Sequence, residues 1–224
     1  MSDLAQPGRR RWRLLGIAST GLSLLLLLVV AAATCRPSWY QPQAIDYSRL
    51  KTDKQDFAGL VDAIGAALNS GQPIDFELAE EQLNRWLAAR AEIWPGLRIQ
   101  VEGLEYPQVS CLPGNRLRLS ATVTGRPIEL ILSATVSCEL APDQLVMRLE
   151  DARCGLLPVP RGRILAPIRQ WLAEQPGEGV SLSGHAISLR NRYVWENGKR
   201  PFRLRGLQIS DRCVRASLEP LSTR

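Results

Sequence analysis

Apolar and polar residues alternate strictly through NRLRLSATVT, residues 115–124. Leu117, Leu119, Ala121 and Val123 fall on one side; Arg116, Arg118, Ser120 and Thr122 fall on the other. A period of two held this long predicts a strand buried on one face. Gly125-Arg126 stands where a two-residue hairpin turn belongs. With Thr124 opposite Pro127, the apolar side of the return strand is Ile128, Leu130, Leu132, Ala134, Val136, Cys138 and Leu140. The two alternations agree on one face, and a one-residue slip would break that agreement. A turn at Pro142-Asp143 leads to a third strand with Leu145, Met147 and Leu149 on the same side. Asn115 to Asp151 is therefore an antiparallel meander with a greasy face and a wet face.

Helical spacing replaces alternation on either side of it. Phe57, Leu60, Val61, Ile64, Ala67 and Leu68 recur every three or four residues, so 54–69 is a helix closed by Ser70-Gly71. Pro73 to Leu78 reads as a short strand. Ala79 to Ala91 is a helix with Leu83, Trp86, Leu87 and Ala91 as its stripe, and with Arg85 and Arg90 on the wet side. Glu80 and Glu81 suit the N-terminal end of its dipole. Residues 97–105 alternate as a strand. After the proline-punctuated turn Gly155 to Pro160, Arg161 to Glu174 forms a helix with Ile164, Leu165, Ile168, Trp171 and Leu172 inward. Strands follow at 180–189, 191–195, 202–210 and 213–218. About three helices and seven or eight strands, without regular alternation, disfavour a doubly wound sheet. The expected fold class is α+β, a curved antiparallel sheet packed against the helices.

The N-terminus stands apart. Arg9, Arg10, Arg11 and Arg13 precede an uncharged run from Leu14 to Thr34. At about 1.5 Å per residue the run spans about 30 Å, a hydrocarbon core. The organisation predicted is a basic cytoplasmic stretch at 1–13, a transmembrane signal anchor at 14–34, a linker at 35–53 and an extracytoplasmic domain at 54–224. The localisation expected is thus a single-pass protein of the cell membrane. Cleavage after Ala31-Ala32-Ala33, or lipidation of Cys35, are the alternatives. The net charge of +6 is partly this arginine cluster, and the rest lies toward the C-terminus, from Arg190 onward. That basic stretch is read as a solvated sheet face, with anionic headgroups as the other candidate. Nucleic acid is excluded as a partner by export.

An exported chain with five cysteines invites disulfides. Cys35 lies at the membrane, which leaves Cys111, Cys138, Cys154 and Cys213. The hairpin register sets Cys111 against Leu140 and beside Cys138, with Cys154 on the opposite face by parity. Pairing of Cys111 with Cys138, and of Cys154 with Cys213, is expected; buried thiols are the alternative. With one histidine and no paired-cysteine spacing, no metal site is expected. His185 has no nearby carboxylate for a triad. Glu80 and Glu81 are neighbours that do not face each other. No phosphate loop or dinucleotide fingerprint occurs, so no cofactor and no enzyme activity are expected.

Phe76-Glu77-Leu78-Ala79-Glu80-Glu81-Gln82-Leu83-Asn84 is a strand followed by a Glu-Glu-x-Leu-Asn helix. It precedes a long hairpin, a Gly-x-Leu-Pro-Val turn at Gly155 to Val159 and an amphipathic helix. Over residues 74–172 this order resembles the YpmS-like family of bacterial single-pass membrane proteins of unknown function. The resemblance implies no catalytic residues, and an architecture similar to extracytoplasmic lipid-binding folds. The function expected is a membrane-anchored module binding a lipid or other apolar ligand. Its cavity would be lined by Leu119, Val123, Leu130, Leu132, Trp86 and Trp171. A structural or assembly factor acting through protein contacts is the alternative.

Overall fold

A computed structural model describes residues 24–94, 103–125, 128–174, 179–194 and 200–222. Helix α1 covers 24–34 of the described chain. Then follow α2 (Leu50–Ser70), β1 (Ile74–Ala79), α3 (Glu80–Ala88), α4 (Arg90–Ile93), β2 (Leu104–Leu112), β3 (Arg116–Val123), β4 (Leu130–Leu140) and β5 (Gln144–Cys154). The chain continues through β6 (Leu157–Pro158), α5 (Arg161–Glu174), β7 (Val180–Ser183), β8 (Ala186–Arg190), β9 (Tyr193–Val194), β10 (Pro201–Ser210) and β11 (Cys213–Pro220).

This is a correction to the expected α+β architecture. The molecule is mostly β, with two sheets instead of one curved sheet over three helices, and five helices among the described residues. The strand orders are β1-β11-β10-β9 and β2-β3-β4-β5-β8-β7, with β6 beside β5. The physical reason lies at the C-terminus. Leu204, Leu207, Ile209, Val214, Ala216 and Leu218 form an apolar side of their own, and β11 pairs with the distant β1. Local periodicity carries no information about that closure. No helix among the described residues is long and apolar enough to cross a membrane. Residues 14–23 of the expected span lie outside the described residues, as do most of the expected strand at 97–105 and the turn residues Arg126 and Pro127.

The meander forms on the expected face but in a different register. Val123 faces Leu130 and Leu119 faces Ala134, two residues from the expected pairing, because the connection is a longer loop than a two-residue turn. An even shift leaves every side chain on its side of the sheet. Along β5 the parity changes. Thr135 pairs with Asp151 and Val136 with Leu149, so Glu150 is bulged out. Ala152 and Cys154 therefore stay on the side of Leu149, and Cys154 faces Leu132, against the expected opposite face. Residues 180–189, expected as one strand, fold into the hairpin β7–β8 around Gly184, whose φ of 58 suits glycine.

Two apolar clusters hold the body together. Under α2, Ile64 and Leu68 pack with Phe202 and Leu218. Between the sheets, Cys111 and Cys138 pack with Ile209, flanked by Leu117, Val136, Met147, Leu207 and Val214. Polar side chains then occupy the open strand edges. Asn84 donates to the Val109 carbonyl and accepts from its N–H, both at 2.8 Å. Glu80 accepts from the Cys111 N–H. Asn115 accepts from Ile209, and buried Asn191 both accepts from and donates to Leu204 at 2.8 Å. The α2–α3 joint contains buried Asp53, which accepts from Arg85 Nε at 3.1 Å. Arg85 also pairs with Glu81, so it faces α2 and not open solvent as its place off the stripe suggested.

Replacing Asn191 by Ala strands the N–H and carbonyl of Leu204 and should cost about 2–3 kcal/mol. Denaturant midpoints of the two full-length proteins in the same detergent measure this. An unchanged midpoint would contradict the edge-clip role.

Candidate functional site

Leu119, Val123, Leu130 and Leu132 lie together, as the alternation required. Ala121 faces Leu132, Val123 faces Leu130, and Leu132 faces Cys154 across the next strand. They line an apolar face that is incompletely covered: Leu119 is 46 % exposed, and the other three are half-buried. Ile128 at 47 % and Leu156 at 51 % extend the exposed apolar surface at this end of the sheet. The described surface here is an open patch.

Trp86 does not belong to it. It is buried at 3 % exposure with its ring edge-on to Phe57 at 5.1 Å. On α3, Glu80 and Asn84 grip the β2 edge, so Trp86, two residues on, points to α2. Trp171 sits in α5, which packs on β5 and β7; its side chain lies outside the described residues.

The wet face at the same end is covered. Residues 36–43, expected as part of a linker, lie across it as a strap. Tyr40 is 2 % exposed; its hydroxyl donates to the Tyr106 carbonyl and pairs with Thr122 Oγ1, both at 2.8 Å. Gln108 accepts from the Gln41 N–H and donates to the Trp39 carbonyl. The Arg118 guanidinium lies 4.5 Å from the Trp39 ring centre. Burial pushes the Tyr40 hydroxyl above its usual pKa, against the hydrogen bond from Thr122. Tyr106 sits at φ 51 where the β2–β3 pairing is irregular between Glu105 and Gln108. That conformation is unusual for an aromatic residue and turns its carbonyl to Tyr40.

The helix that precedes the strap ends against the same corner. Leu156 N–H donates to the Ala32 carbonyl at 2.9 Å. Gly155 has φ 58, and a Cβ there would collide with the carbonyls of Ala32 and Ala33. The chain leaving 14–34 is thus tied to the β5–β6 turn, beside the apolar patch.

No disulfide joins any of the five cysteines. The expected Cys111–Cys138 bond is not formed: Cys111, on β2, pairs with Leu117 of β3, not with Leu140, and β3 separates it from Cys138 on β4. Nor are Cys154 and Cys213 joined; they lie in different sheets. Burial pushes the Cys111 thiol up to about 11 and raises Cys138 as well. Cys213 Sγ donates to Glu77 at 3.0 Å, which holds its thiol above the usual range. Glu77 in turn pairs with Arg215, and Arg203 with Glu219, so these two arginines of the basic C-terminal stretch are neutralised on an exposed sheet face. His185 is exposed, with its carbonyl receiving the Leu149 N–H. Among the described residues no group of three or more His, Cys, Asp or Glu is arranged to hold a metal.

The strap contacts escaped sequence reasoning; Tyr40 beside Trp39 in a proline-bearing stretch was their only signal. Compared with family models, curated proteins and solved structures, the chain matches none.

Two outcomes test this geometry. Tyr40→Phe removes a buried hydroxyl from two partners and should lower stability by about 1–2 kcal/mol, with faster limited proteolysis after Arg36. Unaltered proteolysis would mean the strap is not held there. Glu77→Gln removes the charge that opposes the Cys213 thiolate, so the pH profile of Cys213 alkylation should move to lower pH. A profile that stays put or moves up would exclude that coupling.

Proposed function

We propose that the chain is a non-catalytic, membrane-attached module that holds a lipid or similar apolar ligand on the half-open face of its larger sheet. The observation that carries this reading is the row of apolar side chains Leu119, Val123, Leu130 and Leu132, the first exposed and the others half-buried, toward the end of the sheet that α1 meets. Exposed apolar surface is costly to leave in water, at about 25 cal/mol per Å². Contiguous exposure of this kind marks an interaction site. The uncharged stretch 14–34 supports attachment to the cell membrane, with the sheets outside the cytoplasm. Attachment and patch then work together: the tie between Ala32 and Leu156 sets the patch beside the bilayer, so a chain moves from one apolar phase to another over a short path. Kinship with YpmS-like proteins is part of the same proposal and rests on the strand, helix and hairpin order of residues 74–172.

Purified full-length protein in detergent should retain a lipid mass by native mass spectrometry, recovered on solvent extraction. Leu119→Gln and Leu132→Gln should together reduce the retained lipid at least about tenfold, because two apolar contacts of 1 kcal/mol or more are lost. Wild type and variant with equal lipid, or wild type with none, would refute the reading.

A further inference from the structure

Between the strap and the sheet lies a cavity of about 410 Å³. Thr34, Arg36, Tyr40, Tyr106, Glu129 and Ile131 are among its walls. It opens where α1 ends, on the opposite side of the sheet from Leu132, since Ile131 and Thr122 pair on that side. Its chemistry differs from that of the apolar patch. Arg36 is held in place: Nε donates to the Tyr40 carbonyl at 3.3 Å and the guanidinium lies 5.5 Å from the Tyr40 ring centre. That bond uses one of five guanidinium N–H groups. Glu129 contributes a carboxylate to the same space. Among the described residues, neither Arg36 nor Glu129 takes part in an ion pair.

A cavity with one unpaired cation, one unpaired anion and an exposed aromatic ring is matched by a ligand that carries both charges. We infer that this cavity is a subsite for a zwitterionic phosphate headgroup, with the phosphate at Arg36 and the ammonium at Glu129 beside the Tyr106 ring. The guanidinium offers the planar donor pair that phosphate oxygens accept. An ammonium gains from the carboxylate and from the face of a tyrosine. A purely anionic headgroup would meet Glu129 without compensation, and a purely cationic one would meet Arg36. The inference goes beyond the proposed lipid-holding role: the subsite and the apolar patch lie on opposite sides of the sheet, so each stands or falls by itself. The same headgroup chemistry is also present in a free phosphodiester, so the probes separate the two sources.

The full-length protein in detergent would be titrated with two soluble probes, glycerophosphoethanolamine and glycerophosphoglycerol, by saturation-transfer NMR. Wild type should prefer the ethanolamine probe by about tenfold, the size of one exposed charge contact plus one cation–π contact. Glu129→Gln should abolish the preference, and Arg36→Gln should weaken both probes. Glu139→Gln, an exposed carboxylate on β4, should change neither. The same variants in nanodiscs would then be scored for retained phosphatidylethanolamine against phosphatidylglycerol. Retention of acyl lipid with a ratio unmoved by Glu129→Gln overturns the subsite and leaves the apolar patch standing. Soluble-probe selectivity without acyl retention upholds the subsite for a free headgroup and removes the lipid-holding reading. Absence of binding by both soluble probes overturns the subsite.

Discussion

Two sheets can be one body only if the backbone at their open edges finds partners. An N–H or carbonyl left buried and unpaired costs about 1–3 kcal/mol, and an exposed edge invites other strands. Here the problem is concentrated at β2 and β10. Strand β2 ends the seven-stranded sheet, and β9 shields only Pro201 and Phe202 of β10. Polar side chains close both edges. Asn84 and Glu80 reach from α3 to β2, while Asn115 and Asn191 reach from the larger sheet's turns to Ile209 and Leu204 on β10. A carboxamide donates and accepts at once, so it imitates a neighbouring strand at a single residue. Ile209 is clipped by Asn115 and packed against Cys111 and Cys138. Edge satisfaction and burial of the inter-sheet core therefore depend on one another.

Much of this body was legible in the chain, and the failures have separate causes. The alternation from Leu117 to Val123 placed four side chains on one face, and the structure agrees. The same rule failed beyond Leu149, because one bulged residue, Glu150, reverses the parity of everything after it. A helix stripe tells which side is buried but not against what. Trp86 is on the stripe as read, yet it meets Phe57 and α2, not the sheet. The pairing of β1 with β11 joins residues near opposite ends of the domain, and no local pattern encodes it. Asn84 and Asn191 look like ordinary polar residues in a sequence; their role depends on edges that exist only after folding.

The least expected feature is an inversion of burial at one end of the larger sheet. Period two encodes polarity, and exposure is inferred from it. At this end the inference reverses. Gln108, Ser120 and Thr122, on the polar side, are buried beneath the strap, while Leu119, on the apolar side, is nearly half exposed. For Thr122 and Gln108 this burial is compensated by hydrogen bonds with Tyr40, Gln41 and Trp39, whereas the buried Ser120 hydroxyl has no partner among the described residues. Apolar exposure has no comparable compensation within the described residues.

That asymmetry argues for what the end of the sheet faces. A folded chain that could cover Leu119 with its own strap instead spends the strap on the polar side, where it also ties down the segment leaving α1. The arrangement is favourable only if the apolar side gains a partner that the chain does not itself supply. The hydrogen bond from Leu156 to Ala32, and the absence of a side chain at Gly155, bring the end of α1 to that same corner. A single tight contact thus couples the end of α1 to the corner where the apolar surface is left open.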